Sequence, residues 1–301
     1  MIAHQFAEQP ILNRLTNING EGKIIWPNIL LNCSETSYQK RLEETSLSII
    51  ANRQGQSLCE VDGQTYKVCS SIFLIINPFQ RLKYTINDPV ETSNIHFNPN
   101  FIQSLYQYFT ESDTYLLDNV EEPNTDTFPL FFNELHYKNS IISNLVEQLL
   151  LSSDNYQFNE ILSAIGLQLF INHQESQKKI KSLNSRKAST RKELYKRISK
   201  AKDIIFSSYK QPLSIDEISQ SVCISKYHFT RVFKDIYGIS PYQFLKKVRL
   251  EKAKELLAKD YSILETIDII GFEESNSFIN AFKAYTNTTP IQFQRIISKN
   301  E

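Results

Sequence analysis

The 301-residue sequence lacks the features that mark fibrous, membrane or secreted proteins. It contains only 7 glycines, and its longest uninterrupted apolar run is Ile72 to Ile76, far below the ~20 residues needed to cross a bilayer. These absences exclude collagen-like and transmembrane structures. The first residues, MIAHQFAEQP, have neither the basic start nor the apolar core of a signal peptide. We therefore expect a cytoplasmic protein with no membrane partner.

Motifs for catalysis or metal binding are also missing. The sequence has no Gly-rich phosphate loop, no GxSxG motif, no HxH pair and no CxxC spacing. We therefore predict that the protein is not an enzyme, and that it has no catalytic residue, no metal site and no cofactor.

Cysteine is scarce as well. The four cysteines are Cys33, Cys59, Cys69 and Cys223. In a reducing compartment we expect all of them to be reduced and buried. One alternative stays open, in which paired strands bring Cys59 and Cys69 together as a redox or metal sensor.

The net charge of the chain is zero, but its charges are unevenly distributed. The whole sequence has 33 Lys and Arg against 33 Asp and Glu. Residues 1–177 hold 9 basic and 20 acidic residues, whereas residues 178–301 hold 24 and 13. Such asymmetry is typical of a chain in which one domain meets a polyanion. Because 41% of the residues are apolar, both parts can form ordinary cores, and we predict an α+β multidomain protein.

The acidic part predicts an antiparallel β-barrel followed by helices. Short apolar runs separated by turns extend from about residue 20 to 97, and Asp62-Gly63 supplies the positive φ angles of a tight hairpin. A second turn is predicted at Pro78-Phe79. The apolar spacing then predicts helices at residues 101–109, 141–151 and 160–173, and the acidic residues 110–130 are predicted to form a loop. The last two helices either cover the barrel or form a dimer interface.

The basic, Ser-rich stretch 178–190 is predicted to be a linker. It separates a domain at residues 1–177 from a helical domain at residues 191–301. Residues 192–202, at the start of the second domain, form a helix whose charged face is either simply solvated or in contact with a nucleic-acid backbone.

The helical domain contains an internal repeat, formed by residues 213–244 and 261–293. The later parts of the two copies match at a spacing of 49 residues. The matching pairs are Phe229 with Phe278, Phe233 with Phe282, Lys234 with Lys283, Pro241 with Pro290, Gln243 with Gln292 and Phe244 with Phe293. Each copy predicts a helix, a tight turn and a second helix.

The first copy shows this layout clearly. A helix from about Ser214 to Ser221 precedes a turn containing Cys223, and Ser225 is the expected N-cap of the next helix, since a Ser hydroxyl accepts a hydrogen bond from a first-turn amide. The outward positions of that helix are Lys226, Tyr227, His228, Thr230, Arg231 and Lys234. The residues predicted to lie in the core, rather than to stack on bases, are Phe229, Phe233, Phe278, Phe282, Tyr285 and Phe293. This is the layout of a helix-turn-helix, whose second helix enters the DNA major groove.

A long basic helix is predicted between the two copies, from the segment PYQFLKKVRLEKAKELLAKD. It would hold the copies at a fixed distance. Two such units on one face enter successive major grooves, which lie about 34 Å apart in B-DNA.

From about Thr190 to Ile297, the sequence resembles the AraC/XylS family of transcription regulators. The ordered strings that carry the resemblance are STRKELYKRI, SIDEISQSVCIS, FTRVFK, YGISPYQFLKKVRLEKAKELL, GFEESNSFINAFK and TPIQFQR. The resemblance implies two helix-turn-helix units on one double-stranded DNA site, activation or repression of transcription, and contact with RNA polymerase. CEVDG and INPFQ in the first half resemble, more weakly, the cupin-like sensor barrel of the same family, which implies a small-molecule effector or a homodimer.

The resemblance also implies the DNA-binding positions. In the first helix-turn-helix unit the base-contacting positions fall on Tyr227, Thr230 and Arg231. In the second helix-turn-helix unit they fall on Ser275, Asn276 and Asn280. The full set of predicted DNA-binding residues is Ser225, Lys226, Tyr227, His228, Thr230, Arg231, Lys234, Ser275, Asn276, Ser277, Asn280 and Lys283.

The second copy departs from the family pattern. Its segment EESNSFINAFK has two acids and one Lys, and Asn280 stands where the family usually has Arg. We therefore expect a weak electrostatic attraction to phosphate there. Ile267 replaces a small residue, which predicts looser packing, and Asn287 replaces the glycine found at Gly238, which a left-handed helix end tolerates. An alternative function follows, in which the chain is a ligand- or protein-binding module whose repeat no longer binds DNA specifically.

Overall fold

The computed structural model describes residues 2–3, 17–18, 24–110, 131, 133–137, 141–185 and 187–297. The chain forms two compact units, Met1–Lys179 and Ile180–Glu301. The first unit is rich in β-structure and the second is helical, which confirms the predicted α+β arrangement at this level. Among the described residues, no helix combines the length and the hydropathy that a membrane crossing requires.

The first unit is built from short strands. They are β1 (Ile2–Ala3), β2 (Asn17–Ile18), β3 (Ile24–Ile25), β4 (Ile29–Leu31), β5 (Ser34–Glu35), β6 (Tyr38–Leu42), β7 (Ser48–Gln54), β8 (Gln56–Val61), β9 (Gln64–Cys69), β10 (Ile72–Ile76), β11 (Leu82–Ile86), β12 (Val90–Thr92), β13 (Asn94–His96) and β14 (Leu135–Tyr137). A large sheet has the order β1-β4-β13-β7-β10-β14, with β12 and β5 paired at its side, and a smaller sheet has the order β6-β11-β8-β9. Strands β2 and β3 form a separate pair.

Both predicted turns are present. Asp62 and Gly63 join β8 to β9 with φ angles of 46° and 83°, the left-handed values that a two-residue hairpin turn requires. Phe79, in the turn between β10 and β11, has a φ of 62°. Asp62 and Gly63 therefore form the tight hairpin turn that the sequence predicts.

Three helices cover one face of the large sheet. They are α1 (Pro99–Thr110), α2 (Ile141–Leu150) and α3 (Asn155–Ser182). Alternate strand residues such as Ile49, Phe73 and Ile95 pack against apolar helix residues such as Leu162 and Phe170 in one buried cluster. The apolar faces of these helices therefore cover the sheet, as one of the two predicted alternatives requires.

Helix α3 is longer than predicted. It continues past His173 to Ser182, into the stretch interpreted as a linker, because no Gly or Pro ends it there and its lysines are good helix formers. Ala188 already begins the next helix. The predicted acidic loop lies outside the described residues, except for Thr110, which ends α1.

The cysteines are free, but they are not all buried. Cys33 and Cys59 are buried, Cys69 is partly exposed and Cys223 is exposed, so the prediction of four buried cysteines is wrong. Cys223 sits in a tight turn with a φ of 55°, which places it at the surface. Cys59 pairs across the ladder with Tyr66 and Cys69 with Gln56, so the paired strands do not bring the two cysteines together. The sensor alternative is therefore wrong as well.

Polar side chains lie on the opposite face of β7 and β13 from the helices. A hydrogen bond of 2.8 Å joins Nδ1 of His96 to Oγ of Ser48, and the ring of Trp26 stacks on His96 with 4.6 Å between centroids. Asn52 donates to Oγ of Ser57 and to the carbonyl of Val68. Burial lowers the pKa of His96 to about 4.

We expect the first unit to lose stability as the pH falls from 6.5 to 4. In this window His96 is protonated in the unfolded chain but neutral in the folded one, so acid favours unfolding. A fall in the pKa from 6.5 to about 4 corresponds to about 3 kcal/mol. Trp26, the single tryptophan, lies in this unit, so urea denaturation followed by its fluorescence measures the effect. His96→Gln should reduce the slope in this window and leave the part that comes from His173, whose pKa burial also lowers. An unchanged slope in this variant would contradict the assignment.

The second unit consists of helices in its described residues. They are α4 (Ala188–Ser208), α5 (Ile215–Ser221), α6 (Lys226–Tyr237), α7 (Pro241–Leu257), α8 (Ile263–Ile270), α9 (Ser275–Thr286) and α10 (Pro290–Ile297). The long helix predicted between the two copies of the repeat is α7. Gly238, Gly271 and Asn287 end α6, α8 and α9 in the left-handed conformation, and Asn287 therefore tolerates the position as predicted.

Reciprocal caps begin four of these helices, including α10, which Thr289 and Gln292 cap. Ser214 and Glu217 cap α5, Ser240 and Gln243 cap α7, and Ser262 and Glu265 cap α8. The same hydrogen bonds lower the pKa of Glu217 and of Glu265. Ser225 is the N-cap residue of α6, as predicted, but its hydroxyl makes no capping hydrogen bond. The predicted role of that hydroxyl is therefore wrong.

Removal of the capping hydroxyls is expected to destabilise the second unit selectively. Ser214→Ala and Ser262→Ala should each lower the free energy of unfolding by about 1 kcal/mol, because each leaves a first-turn amide without its acceptor. Ser225→Ala is the matched control and should cost clearly less. The three variants are compared by urea denaturation followed by circular dichroism at the helical band. Equal losses at all three positions would contradict this account.

Candidate nucleic-acid interface

The first helix pair consists of α5 and α6, joined by residues 222–225. Ile218 and Val222 on one side of the turn, and Phe229 and Phe233 on the other, are buried. The rings of Phe229 and Phe233 lie 5.6 Å apart, and Phe233 also packs edge-on against Phe244 of α7. Because one face of α6 is fixed in this core, its other face is held rigidly at the surface.

The exposed face of α6 carries the predicted DNA-binding residues of the first copy. Tyr227 is 80% exposed, and Arg231 and Lys234 are also exposed. His228 and Thr230 are partly buried. Two residues complete the set at the start of the helix, namely Ser225, which is exposed, and Lys226, whose Nζ lies 2.6 Å from Asp216 Oδ2.

The second helix pair consists of α8 and α9, joined by residues 271–274. Ile267, Ile270, Phe278 and Phe282 are buried in one cluster. The predicted positions Ser275, Asn276, Ser277, Asn280 and Lys283 are all exposed on α9 or at its start. Ile267 is 7% exposed and belongs to this cluster, so the larger side chain is accommodated in the core.

The two exposed faces differ in charge. Lys226, Arg231 and Lys234 lie on the first, whereas the second has Lys283 preceded by the exposed Glu273 and Glu274 at the start of α9. The N-terminus of a helix carries a partial positive charge, and these acids partly cancel it. The second face is therefore less attractive to an anion than the first.

Two aromatic residues differ from the prediction that they lie in the core. Tyr285 is 37% exposed, and its hydroxyl donates a hydrogen bond to Glu251 of α7, so the prediction is wrong for this residue. Phe293 is partly buried and packs edge-on against Phe282. Tyr285 is amphipathic and meets a carboxylate at the surface, which the spacing of apolar residues does not reveal.

Helix α4 is amphipathic. Tyr195 and Ile198 are buried, and the ammonium group of Lys202 lies over the ring of Tyr237 at 5.7 Å from its centroid. Lys192, Lys196 and Lys200 are exposed on the other side. Both alternatives for residues 192–202 thus remain compatible with the structure, a solvated face or a backbone-contacting one.

Sequence reasoning missed one residue beside the two faces. Arg249, in the middle of α7, donates from Nε to the carbonyl of Tyr209 at 2.8 Å and from a terminal nitrogen to the carbonyl of Gln211 at 3.0 Å. Burial lowers the pKa of its guanidinium from the ordinary value. In the sequence it looks like one more charge of a basic helix, because the carbonyls that it meets lie about 40 residues away.

No group of three or more histidine, cysteine or acidic side chains is arranged to hold a metal ion within the described ranges.

Comparison with known proteins places this region in a known type of domain. Residues 218–296 match the model of a helix-turn-helix domain family. The chain is 40% identical over 83 residues to the probable transcription factor PqrA of Proteus vulgaris, covering 27% of this chain and 68% of that protein. It is 36% identical over 94 residues to an HTH-type transcriptional regulator of Pseudoalteromonas carrageenovora, covering 31% and 56% of the two chains.

A solved structure also matches the helical part. The C-terminal domain of AraT, a response regulator from Geobacillus stearothermophilus, is 28% identical, with a TM-score of 0.32, over 33% of this chain and 84% of that one.

Proposed function

Because the chain belongs to the AraC family of helix-turn-helix transcription regulators, we propose that it binds an operator specifically, with its two helix pairs as helix-turn-helix units in successive major grooves. AraC-type domains of this kind bind DNA. The finer assignments, namely which residues contact bases and what controls binding, are part of the proposal.

The observation that carries the proposal is the construction of α6. Its inner face is fixed by Phe229 and Phe233, which are fully buried, while Tyr227, Arg231 and Lys234 are exposed on the outer face. A helix that follows a tight turn and presents such side chains from a rigid base fits the recognition element of a helix-turn-helix.

The chemistry of the exposed side chains suggests their roles. Arg231 suits a bidentate contact to O6 and N7 of guanine, and Asn276 or Asn280 suits N6 and N7 of adenine. Tyr227, Thr230 and Ser275 are the other proposed base contacts. Proposed partners of phosphate oxygens are Ser225, Lys226, His228, Lys234, Ser277 and Lys283.

The two helix pairs contribute differently in this proposal. Neutralised phosphates supply much of the affinity of a DNA-binding protein, and the first pair carries Lys226, Arg231 and Lys234, whereas the second carries Lys283. Glu273 and Glu274 oppose binding at the second pair. The first helix pair therefore supplies most of the affinity, and the second sets the register of the protein on its site.

The first unit, in this proposal, is a cupin-like domain that senses a small-molecule effector or mediates a homodimer. We take it to be residues 1–177 and the DNA-binding domain to be residues 191–301; the stretch 178–190 between them is partly helical, since α3 extends to Ser182 and α4 begins at Ala188. An effector acts only by favouring one arrangement of the domains over another. Activation of transcription through contact with RNA polymerase belongs to the same proposal.

The test is a salt titration with a selected site. Double-stranded DNA is selected from a random pool by the full chain, and the affinity for the winning sequence is measured at increasing salt by fluorescence anisotropy. If about four phosphates are neutralised, log K should fall with log salt with a slope of about −4. Absence of an enriched sequence would favour the alternative that the exposed acids of α9 suggest, a module that binds a ligand or a protein but not a specific DNA site.

Control by an effector is tested separately. Operator affinity is compared between the full chain and residues 178–301, with and without a broad set of metabolites. If the full chain and residues 178–301 differ in operator affinity, and a metabolite removes this difference, control of DNA binding by an effector is supported. Equal affinity for both chains, unchanged by every metabolite, overturns it.

A further inference from the structure

The side chain of Arg249 joins the connection that begins the first helix pair to the turn inside the second. Its two hydrogen bonds, at 2.8 Å and 3.0 Å, go to the carbonyls of Tyr209 and Gln211. These residues belong to the connection between α4 and α5, which begins the first helix pair. Hydrogen bonds from a charged guanidinium are stronger than those between neutral groups, especially where the site is partly buried.

The same guanidinium meets the turn of the second helix pair. Its central carbon lies 5.9 Å from the centre of the Phe272 ring, and that ring packs edge-on against Phe278 of α9 at 5.5 Å. Phe278 is fully buried. A displacement of α9 would therefore be transmitted through Phe272 to Arg249.

The backbone at this place is packed closely. Gly271 ends α8 with a φ of 74°, and a Cβ atom at this position would lie 2.3 Å from the carbonyl oxygen of Lys210. Only glycine allows this approach between the end of α8 and the connection that begins the first helix pair. The two segments thus touch directly as well as through Arg249.

We propose that Arg249 is a positioning residue, which fixes the orientation of the second helix pair relative to the first and so sets the spacing between the two DNA half-sites. The consequence for DNA spacing depends on the proposed function, whereas the consequence for orientation does not. Helix α7 links the two pairs covalently, and each pair packs part of its core on it, the first through Phe233 against Phe244 and the second in the cluster that contains Leu250. Arg249 lies between these two contacts on α7. It joins the connection that begins the first pair to the turn of the second, and so limits the movement of one pair relative to the other.

Lysine is not an adequate substitute for arginine at this position. The planar guanidinium donates to two carbonyls and packs on a ring at once, whereas the ammonium of Lys is a single compact charge. Arg249→Lys therefore keeps the charge and loses the geometry. It separates a positioning role from simple attraction to phosphate.

The orientation is measured first, without DNA. Spin labels are attached to the full chain through Asp235→Cys and Ala284→Cys, two exposed positions related by the 49-residue spacing, with Cys69→Ser and Cys223→Ser removing the accessible native thiols. Double electron–electron resonance then gives the distribution of distances between α6 and α9. We expect this distribution to be at least about twice as wide in Arg249→Ala and in Arg249→Lys. Lys246→Ala, which removes a charge from the same helix, should leave it unchanged.

The spacing is measured second, on DNA. The affinity is determined for the selected site and for the same site with two base pairs inserted between the half-sites, which rotates one half-site by about 70°. We expect the insertion to weaken the unsubstituted protein about 10-fold but both Arg249 variants less than about 3-fold. Binding to the first half-site alone should be the same for all chains. Lys246→Ala should keep the 10-fold ratio.

The outcomes separate the two proposals. A narrow distance distribution in both Arg249 variants, or Arg249→Lys behaving like the unsubstituted protein on both DNA sites, overturns the positioning role. If the distance distribution widens in the Arg249 variants but the unsubstituted protein selects no DNA sequence, the proposed function is overturned and the positioning role stands. If Arg249→Ala unfolds, its circular dichroism at the helical band is lost. The results for Arg249→Lys then decide whether Arg249 has the positioning role.

Discussion

Phe233→Ala is expected to lower the free energy of unfolding of the second unit by about 3–5 kcal/mol, enough to remove most of its stability. Phe233 is fully buried, and its ring packs against Phe229, Tyr237 and Phe244 at 4.7 to 5.6 Å between centroids. It thus connects α6 to α7. Truncation of Phe233 leaves a cavity at this place. The rings of Phe229, Tyr237 and Phe244 then each lose their contact with the Phe233 ring.

The location of the single tryptophan makes this loss measurable. Trp26 lies in the first unit, so its fluorescence follows that unit, whereas the larger share of the described helical residues, and with it of the circular dichroism at the helical band, belongs to the second. In Phe233→Ala the denaturation midpoint from circular dichroism should be lower than in the unsubstituted protein. The midpoint from tryptophan fluorescence should be the same in both.

Tyr227→Ala is the matched control for this variant. It removes an aromatic ring from the same helix at a position that is 80% exposed. We expect a change of less than about 0.5 kcal/mol in stability, together with weaker DNA binding. A large loss of stability in Tyr227→Ala would mean that its ring packs against the protein and not against DNA.

Arg231→Ala is expected to cost about 1–3 kcal/mol of specific DNA affinity and to relax the preference at one base position. Arg231 is exposed on α6, and it makes no ion pair with a residue in the part of the chain that the structure describes. Its guanidinium is therefore available for two hydrogen bonds to one guanine.

Site selection with the variant chains decides the role of Arg231. The selected sequences should lose information at one position, whereas Lys247→Ala, on α7, should weaken all sequences alike if it contacts phosphate. An unchanged preference at every position in Arg231→Ala would contradict the assignment of this residue to base contact.

Local sequence chemistry predicted a large part of this fold. The Asp62-Gly63 hairpin, the left-handed Asn287 and the turn at Phe79 follow from backbone preferences that act within a few residues. The helices of the repeat follow from apolar spacing. The exposed positions on α6 and α9 follow from the same spacing, since residues on the side of each helix opposite its buried Phe side chains face outward.

Two of these errors have a common physical origin in contacts between distant residues, whereas the third, on helix α3, is local. Strand register places Cys59 opposite Tyr66, and register depends on the whole sheet. Tyr285 is at the surface because Glu251 of another helix accepts its hydrogen bond. Helix α3 continues to Ser182 because no residue ends it, although the composition there indicated a linker.

The sequence by itself determined the two-part charge distribution, the helical repeat and the residues that face outward from each copy. These properties depend on residue type and on spacings of three or four positions, and both can be read directly from the sequence. Tertiary structure alone decided how the two helix pairs are held. Arg249 meets the carbonyls of Tyr209 and Gln211 only after α7 has folded against that connection, because hydrogen bonds to backbone carbonyls require no particular side chain at the accepting residues and so leave no pattern in the sequence.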